Sequence, residues 1–576
     1  MEYANKTRAE LILLCKEQNK KGYSSMKKDE IIQLLKPIIT SQHENTNGIT
    51  VADFFCGAGG FSEGFYQEGF NVVFGLDCWK PAQITHEHNH PHCKTVCMNI
   101  LDIQDIDSIV PDTDIIIGSP PCVSFSNSNV SGKADKTLGL QLIHQFLKIV
   151  LYKQSKPNSR LKFWIMENVP NSLDFIQDKY TAAELGLDPS LPDLMIPCKN
   201  ILIASDYGSP QGRKRAIVGN YILPEVTNLP TYMNIILDAL GPPLHNTKQT
   251  ILDPSFPLTL QSNLVTDHFY DSEIPKEWAD KAKRLKIDHG FMGKMDFPDR
   301  VDRLCRTIMA TESYCSRESI IFPKENSTGY RAPTIRELAC LMGFPIDYQF
   351  VGTNSNSKHK QIGNAVCVHL SMALANAIKR DMNVVLVKKE RVLVKAKVNL
   401  NELTTPLFAN YVSSPKKLSS KFHVHVPYLK VNQLRVELDN ITSDFEQSTF
   451  VWRCVLHKGS GKKAMQTQLN NTKVHPIISN HRTFSEMNQW LEELKPHVYD
   501  SYLFQQKNCN ISTDENTHYS PTEVLQHISN KIKEFNIKEE FVEVDELDVA
   551  FQCKKNEYPL EILYSLYMVN SVVDQL

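Results

Sequence analysis

A chain of 576 residues with 41% hydrophobic and 22% charged side chains has enough apolar material for a sizeable core, which excludes wholesale disorder. At roughly 150 residues per domain the length suggests about three or four domains, and the formal net charge of −2 names no partner until it is divided along the chain. Fourteen cysteines are too sparse for a disulfide scaffold, MEYANKTRAE is no secretory signal, and we find no run of about 18 apolar residues, so the sequence predicts an intracellular protein with reduced thiols and no membrane span.

The first 36 residues carry eight Lys/Arg against five Asp/Glu, a local net of +3. Thr7-Arg8-Ala9-Glu10 has the hydroxyl and carboxylate spacing of a capping box. It opens a helix with Leu11, Leu14 and Cys15 on one side. Lys20 to Ser24 breaks that helix, and Ile31, Ile32 and Leu35 form the apolar side of a second. Two short helices with a basic loop suit phosphate docking, and residues 1–38 resemble the SAP-like helix–loop–helix DNA-binding module; a solvated hairpin is the competing reading. Residues 39–49 read as a linker.

From Val51 apolar runs alternate with helical segments. Val51–Phe55, Val72–Leu76, Ile115–Ile117, Phe163–Met166, Ile201–Ala204 and Ala216–Val218 read as buried strands, and Leu138–Tyr152 as a helix between them. This pattern predicts a parallel α/β sheet covered on both faces. A final helix is expected over about Asn364 to Arg380. Residues 386–576 read as a separate α/β or α+β domain of unassigned function. Within it Phe422–Leu438 and Phe450–Leu456 are expected strands. Ser520-Pro521-Thr522-Glu523 caps a helix whose face is Val524, Leu525, Ile528, Ile532 and Phe535.

The chemistry gathers at strand ends, where open α/β sheets bind ligands. The first strand runs into Cys56-Gly57-Ala58-Gly59-Gly60, a turn that lets a ligand approach a helix N-terminus. No Gly-Lys-Ser/Thr follows, so it is not a phosphate-binding P-loop. Asp77 lies 20 residues after Gly57, the spacing of an acid that accepts ribose hydroxyls. Pro120-Pro121-Cys122-Val123-Ser124 follows the Ile115 strand, Glu167-Asn168-Val169 ends the next, and Gln211-Gly212-Arg213-Lys214-Arg215 adds fixed positive charge.

This ordered set, with TIRELACLMGFP (334–345) and QIGNAV (361–366), resembles the cytosine-5 DNA methyltransferases over roughly residues 50–382. The resemblance implies a Rossmann-like domain that uses S-adenosylmethionine on a flipped-out cytosine of double-stranded DNA. It assigns Cys122 as the nucleophile at carbon-6, Glu167 as the partner of ring nitrogen N3, and Arg213 and Arg215 to positioning the base and the cysteine loop. Phe55, Gly57, Gly59, Gly60, Asp77, Asn99 and Asn364 form the implied cofactor site. Asn99 stands where an acid is usual, and its amide oxygen can accept the same bond. Val123 replaces a glutamine, Cys367 a proline, and Trp79 a second acid.

The family places target recognition in about 222–300. Here that stretch holds Lys281, Lys283, Arg284, Lys286, His289, Lys294 and Arg300, with Phe291 and Phe297 interleaved. Basic residues suit phosphates and aromatic ones the gap left by a flipped base; the competing reading is a solvated loop. His86, His88, His90, His92, Cys93 and Cys97 read as exposed loop residues rather than a metal site, and no metal is expected. Six acids over Glu539–Asp548 precede Gln552-Cys553-Lys554, a weak echo of a restriction nuclease beside a modification enzyme; the spacing favours an acidic surface. Two alternatives stay open: a transfer-RNA cytosine-5 methyltransferase, and a DNA-binding scaffold with weak catalysis. A monomer is favoured, in a nucleus or another DNA-containing compartment such as a virus factory.

Overall fold

The computed structural model describes residues 48–121, 125, 136–227, 231–244, 248–289, 293–311, 313–387, 407–408, 415–459, 464–498, 500–511, 518–552 and 557–576. The chain divides into Met1–Thr50 and Val51–Leu576. The helix–loop–helix reading over 1–38 lies outside the described residues, so the second unit is described here.

Seven strands form one sheet: β1 (Thr50–Phe54), β2 (Asn71–Asp77), β3 (Lys94–Cys97), β4 (Ile115–Gly118), β5 (Phe163–Asn168), β6 (Cys198–Ile203) and β7 (Lys214–Asn220). Their spatial order is β3-β2-β1-β4-β5-β7-β6. β1 pairs with β4, β4 with β5, and β2 with β3, all parallel. The expectation of a wholly parallel sheet fails at one end, where β7 lies antiparallel between β5 and β6. Too few residues separate β6 from β7 for a crossover helix, so the two form a hairpin.

Helices α1 (Gly60–Gln67), α2 (Lys80–Asn89) and α3 (Thr137–Gln154) follow β1, β2 and β4. α3 lays Ile143, Phe146, Leu147 and Val150 on the sheet. Phe146 meets Phe54 at 5.9 Å and Trp164 at 6.4 Å, linking three elements through aromatic edges. The final helix predicted from Asn364 is two helices, α6 (Ser355–Asn364) and α7 (Val368–Asp381), preceded by α5 (Ile335–Leu341). Gln361 to Asn364 therefore end a helix instead of starting one. Cys367 caps α7 at φ −61°, close to the angle a proline imposes, so the backbone keeps its course without the proline. By length and composition alone, Ser355–Asp381 contains a window apolar enough to cross a membrane. That window is 72% buried, as the core helices of a globular unit are.

In the stretch expected to hold target recognition, α4 (Lys276–Ile287) carries four of the seven basic residues. Two of them serve the fold, not a ligand. Lys286 is buried and pairs with Asp299 at 2.7 Å. Arg284 Nη2 donates to His425 O at 2.6 Å. Phe297 packs on Tyr330 in a small core with Ile274, Ala279 and Ala282. Phe291 lies outside the described residues.

The later residues form a four-stranded antiparallel sheet: β8 (His423–His425), β9 (Leu434–Asp439), β10 (Arg453–Lys458) and β11 (Met465–Thr467). The expected strand over Phe422–Leu438 is thus two, broken where Tyr428, Asn432 and Gln433 adopt positive φ. Val436, Leu438, Cys454 and Leu456 bury one face against α8 (Pro521–Glu534) and α9 (Leu560–Val573). Ser520 and Glu523 make the reciprocal cap of α8, and Val524, Leu525, Ile528 and Ile532 are buried. This sheet docks on the end of α4: Tyr428 N donates to Asp288 Oδ2 at 2.7 Å, and His425 Nε2 lies 3.0 Å from the same oxygen.

His86 and His90 are buried, not exposed loop residues as the sequence reading had them. His86 belongs to a polar chain joining β1, α1, α2 and β3. Ser62 Oγ donates to Asp53 Oδ2 at 2.6 Å, so it must accept from His86 Nε2 at 2.9 Å. That leaves His86 Nδ1 to accept from Thr95 Oγ1 at 2.9 Å. Burial lowers the His86 pKa to about 3, so the ring is neutral.

Two outcomes are expected. Phe146→Ala should cost about 3–5 kcal/mol of unfolding free energy in denaturant titrations; a loss below about 1 kcal/mol would contradict the packing account. Burial raises the Asp53 carboxyl pKa to about 8, against the donors of Ser62. The folded chain therefore keeps a proton that the unfolded chain gives up near pH 3.9. This group's stabilisation is full below about pH 4 and drains as pH rises through about 8. Asp53→Asn should flatten that part of the stability–pH profile, and parallel profiles would refute it.

Candidate active site

Strand direction assembles the site. The C-terminal edge of the sheet carries Phe55 after β1, Asp77 at the end of β2, Ser119 after β4, and Glu167 and Asn168 at the end of β5. Arg215 is near the start of β7, and a parallel β7 would have carried it to the opposite edge. Over the seven residues of β7 that is roughly 20 Å, at about 3.3 Å per residue. Antiparallel pairing instead sets Asn168 opposite Ala216 and Glu167 opposite Ile217. Arg215 Nε then lies 2.7 Å from Glu167 Oε1, with 12% and 9% of their side chains exposed. Arg215 Nη1 donates to Lys214 O at 2.7 Å.

Cys122 and Val123 lie outside the described residues, but the chain on either side of them is tied down. Ser119 N donates to Phe54 O and Ser119 Oγ to Phe55 O, both at 3.1 Å. Asn168 Nδ2 holds Pro120 O at 3.1 Å, and Asn171 Nδ2 holds Phe125 O at 3.3 Å. The ends of β1 and β5 thus fix both flanks of the cysteine loop. Asn168 sits inside a motif quoted for its glutamate, and its own role was missed. Asn171 gave no sequence signal.

Arg213 anchors a further segment. It is buried, and donates to Ile308 O and Gly363 O at 2.9 Å and to Ala365 O at 3.3 Å. A rigid guanidinium fork suits three carbonyls, so Arg213 braces the QIGNA segment.

The glycine turn and Asp77 face each other. Asp77 Oδ2 accepts from Gly57 N at 2.9 Å and Oδ1 from Trp79 N at 2.7 Å. Burial pushes the Asp77 pKa up, and these two donors pull it back. Each oxygen keeps acceptor capacity for a further hydroxyl. Phe55 and Gly57 both have positive φ. A Cβ on Gly57 would meet nothing nearer than Phe55 O at 3.9 Å, so open space lies where a ligand would approach. The other side of the turn is closed: a Cβ on Gly60 would stand 2.3 Å from Val366 O, and one on Gly59 2.5 Å from the Tyr348 hydroxyl. That hydroxyl donates to Ala58 O across 290 residues of chain, a contact no local pattern announces.

Two expected cofactor residues are placed differently. Asn99 is exposed, and its Oδ1 accepts from Leu101 N at 3.1 Å, capping a short turn. One lone pair of the oxygen assigned to an adenine is therefore already engaged. Asn364 is exposed at the end of α6, not inside α7. Trp79, where a second acid is usual, lies under Lys360 Nζ at 4.8 Å and so links α2 to α6.

The type II methyltransferase M.MthTI of Methanothermobacter thermautotrophicus is 28% identical over 352 residues, covering 58% of this chain and 98% of that protein. M.HgiDI of Herpetosiphon aurantiacus is 30% identical over 342 residues, covering 58% and 94%. M.BsuFI of Bacillus subtilis is 27% identical over 398 residues, covering 66% and 87%. Residues 49–380, more than half of the chain, match the family described as C-5 cytosine-specific DNA methylase, and the chain belongs to that family.

Proposed function

We propose that Cys122, Glu167 and Arg215 carry out the family's reaction, methylation of carbon-5 of cytosine in DNA. The observation that carries this reading is the Glu167–Arg215 pair, 2.7 Å apart beside a loop whose two flanks are hydrogen-bonded to the ends of β1 and β5. Carbon-5 of cytosine is a poor nucleophile. Addition of the Cys122 thiolate to carbon-6 breaks the 5,6 double bond and makes carbon-5 electron-rich. Glu167 is the partner of ring N3: its Oε2 takes up a proton from solvent as the base binds and donates it to N3, where charge develops, while Oε1 keeps the Arg215 Nε contact. Arg215, anchored through Nε and Nη1, keeps Nη2 for the cytosine O2. S-adenosylmethionine supplies the electrophilic methyl group. Loss of the carbon-5 proton and expulsion of the thiolate then restore the ring and the enzyme.

Asp77 and the open side of Gly57 fit a ribose hydroxyl pair, with Phe55, Gly59 and Gly60 forming the turn; Asn99 and Asn364 complete the proposed set from exposed positions. Recognition falls to about 222–300. With Arg284 and Lys286 occupied internally, Lys281, Lys283 and Lys294 are the cations proposed for phosphates. Residues 1–38 are proposed as a DNA tether that raises local DNA concentration without reading sequence.

A duplex carrying 5-fluorocytosine tests this reading, because fluorine at carbon-5 cannot leave as a cation and the thiolate cannot be expelled. With S-adenosylmethionine present the wild type should form a denaturant-stable adduct that maps to Cys122, and Cys122→Ala should form none. An adduct on a different cysteine, or one formed on transfer RNA and not on DNA, would overturn the assignment. Asp77→Ala should weaken S-adenosylmethionine binding about tenfold in calorimetry, the equivalent of ~1.4 kcal/mol of lost hydrogen bonding. Unchanged affinity would remove Asp77 from the site.

A further inference from the structure

The second sheet has a polar face that the methylation chemistry does not use. Alternation along β9 and β10 puts Arg435, Glu437 and Asp439 on the side shared with Arg453 and His457, opposite the buried Val436, Leu438 and Leu456. β8 adds His423, which pairs with Asp439. Glu437 on the middle strand is approached from both neighbouring strands. His457 Nε2 stands 2.9 Å from Glu437 Oε2, and His423 Nε2 reaches the same oxygen. The donor atoms of His423, Glu437 and His457 all lie within 4.8 Å of one another.

Two features distinguish this cluster from an ordinary ion pair. First, Glu437 and His457 are 3% and 2% exposed, yet neither Glu437 Oε2 nor His457 Nε2 has a partner in hydrogen-bonding geometry. Buried polar atoms this close that make no hydrogen bond are left for a further partner, and a cation within reach of all three would supply it. Second, the other carboxylate oxygen is fixed from behind: Arg435 Nε donates to Glu437 Oε1 at 2.7 Å and Arg435 Nη1 to Gly459 O at 2.9 Å. Outer contacts of this kind orient the ligands of metal sites.

We propose that His423, Glu437 and His457 bind a zinc-class divalent cation. Two imidazole nitrogens and one carboxylate oxygen are ligands suited to zinc. His423 is 42% exposed on its side chain, so a fourth position opens to solvent, as in zinc sites with three protein ligands. At bond lengths of about 2.0–2.2 Å, tetrahedral ligand atoms stand roughly 3.3–3.5 Å apart, so loading spreads the pair by about half an ångström. For Nε2 to ligate, the His457 ring proton must sit on Nδ1, where Arg435 Nη2 now stands at 3.2 Å. The guanidinium has to yield that one contact, which holds the affinity below that of a site whose histidines donate to acceptors.

The test strips the full-length protein with chelator, dialyses it against zinc, and measures bound metal by mass spectrometry. One equivalent should be retained. Cobalt substitution should give a visible spectrum without a thiolate charge-transfer band, which excludes the cysteines as ligands. His423→Ala removes a half-exposed ring and should leave the melting temperature of the metal-free protein unchanged while abolishing the bound equivalent. His92→Ala, an exposed histidine elsewhere, should keep it. Absence of stoichiometric zinc in the wild type, retention of zinc by His423→Ala, or a thiolate band would each overturn the proposal.

Discussion

The reversal of one strand decides where the charge of this site lies. β7 runs against β5, so its first residues arrive at the edge where β1, β2, β4 and β5 end. Without that reversal Arg215 would sit on the far side of the sheet, and Glu167 would be a buried carboxylate with no cation at hand. Leaving such a charge uncompensated costs several kcal/mol, so the pair at 2.7 Å is a structural requirement as well as the centre of the proposed site. The hairpin of β6 and β7 is a topological device with a chemical result.

Around that pair the structure spends its long-range contacts on holding loops. Tyr348 grips Ala58 in the glycine turn, and Arg213 holds Gly363 and Ala365 in the segment that joins α6 to α7. Ser371 Oγ on α7 donates to Phe61 O on α1 at 2.6 Å. The end of the stretch that matches the family thus closes over its beginning. The C-terminal sheet meets α4 through Arg284 and Asp288, and Phe408, upstream of that sheet, sets its ring against Trp278 and Tyr314 at 5.2 and 5.1 Å.

Much of this was legible in the sequence, because strands buried on both faces read as apolar runs and tight turns require glycine. β1, β2, β4 and β5 and the residues at their ends follow from those two rules. Strand direction was not legible, since an apolar run carries no sign of its orientation; hence the parallel expectation that β7 overturns. Cationic residues in α4 read alike whether they face phosphates or a neighbouring domain, and only the structure shows Arg284 and Lys286 turned inward. His86 and His90 looked exposed because histidine is polar, but the Asp53–Ser62–His86–Thr95 chain satisfies His86 inside. His423, Glu437 and His457 are 14 and 20 residues apart, on three separate strands. No short motif records such a set.

The most direct measurement is the identity of the methylated base. Duplex DNA is incubated with the protein and methyl-labelled S-adenosylmethionine, then digested to nucleosides and separated. The roles proposed for Cys122, Glu167 and Arg215 predict that the label elutes as 5-methyl-2′-deoxycytidine. Label on the exocyclic nitrogen of cytosine or adenine, or no labelled nucleoside from protein shown to bind the cofactor, would contradict it.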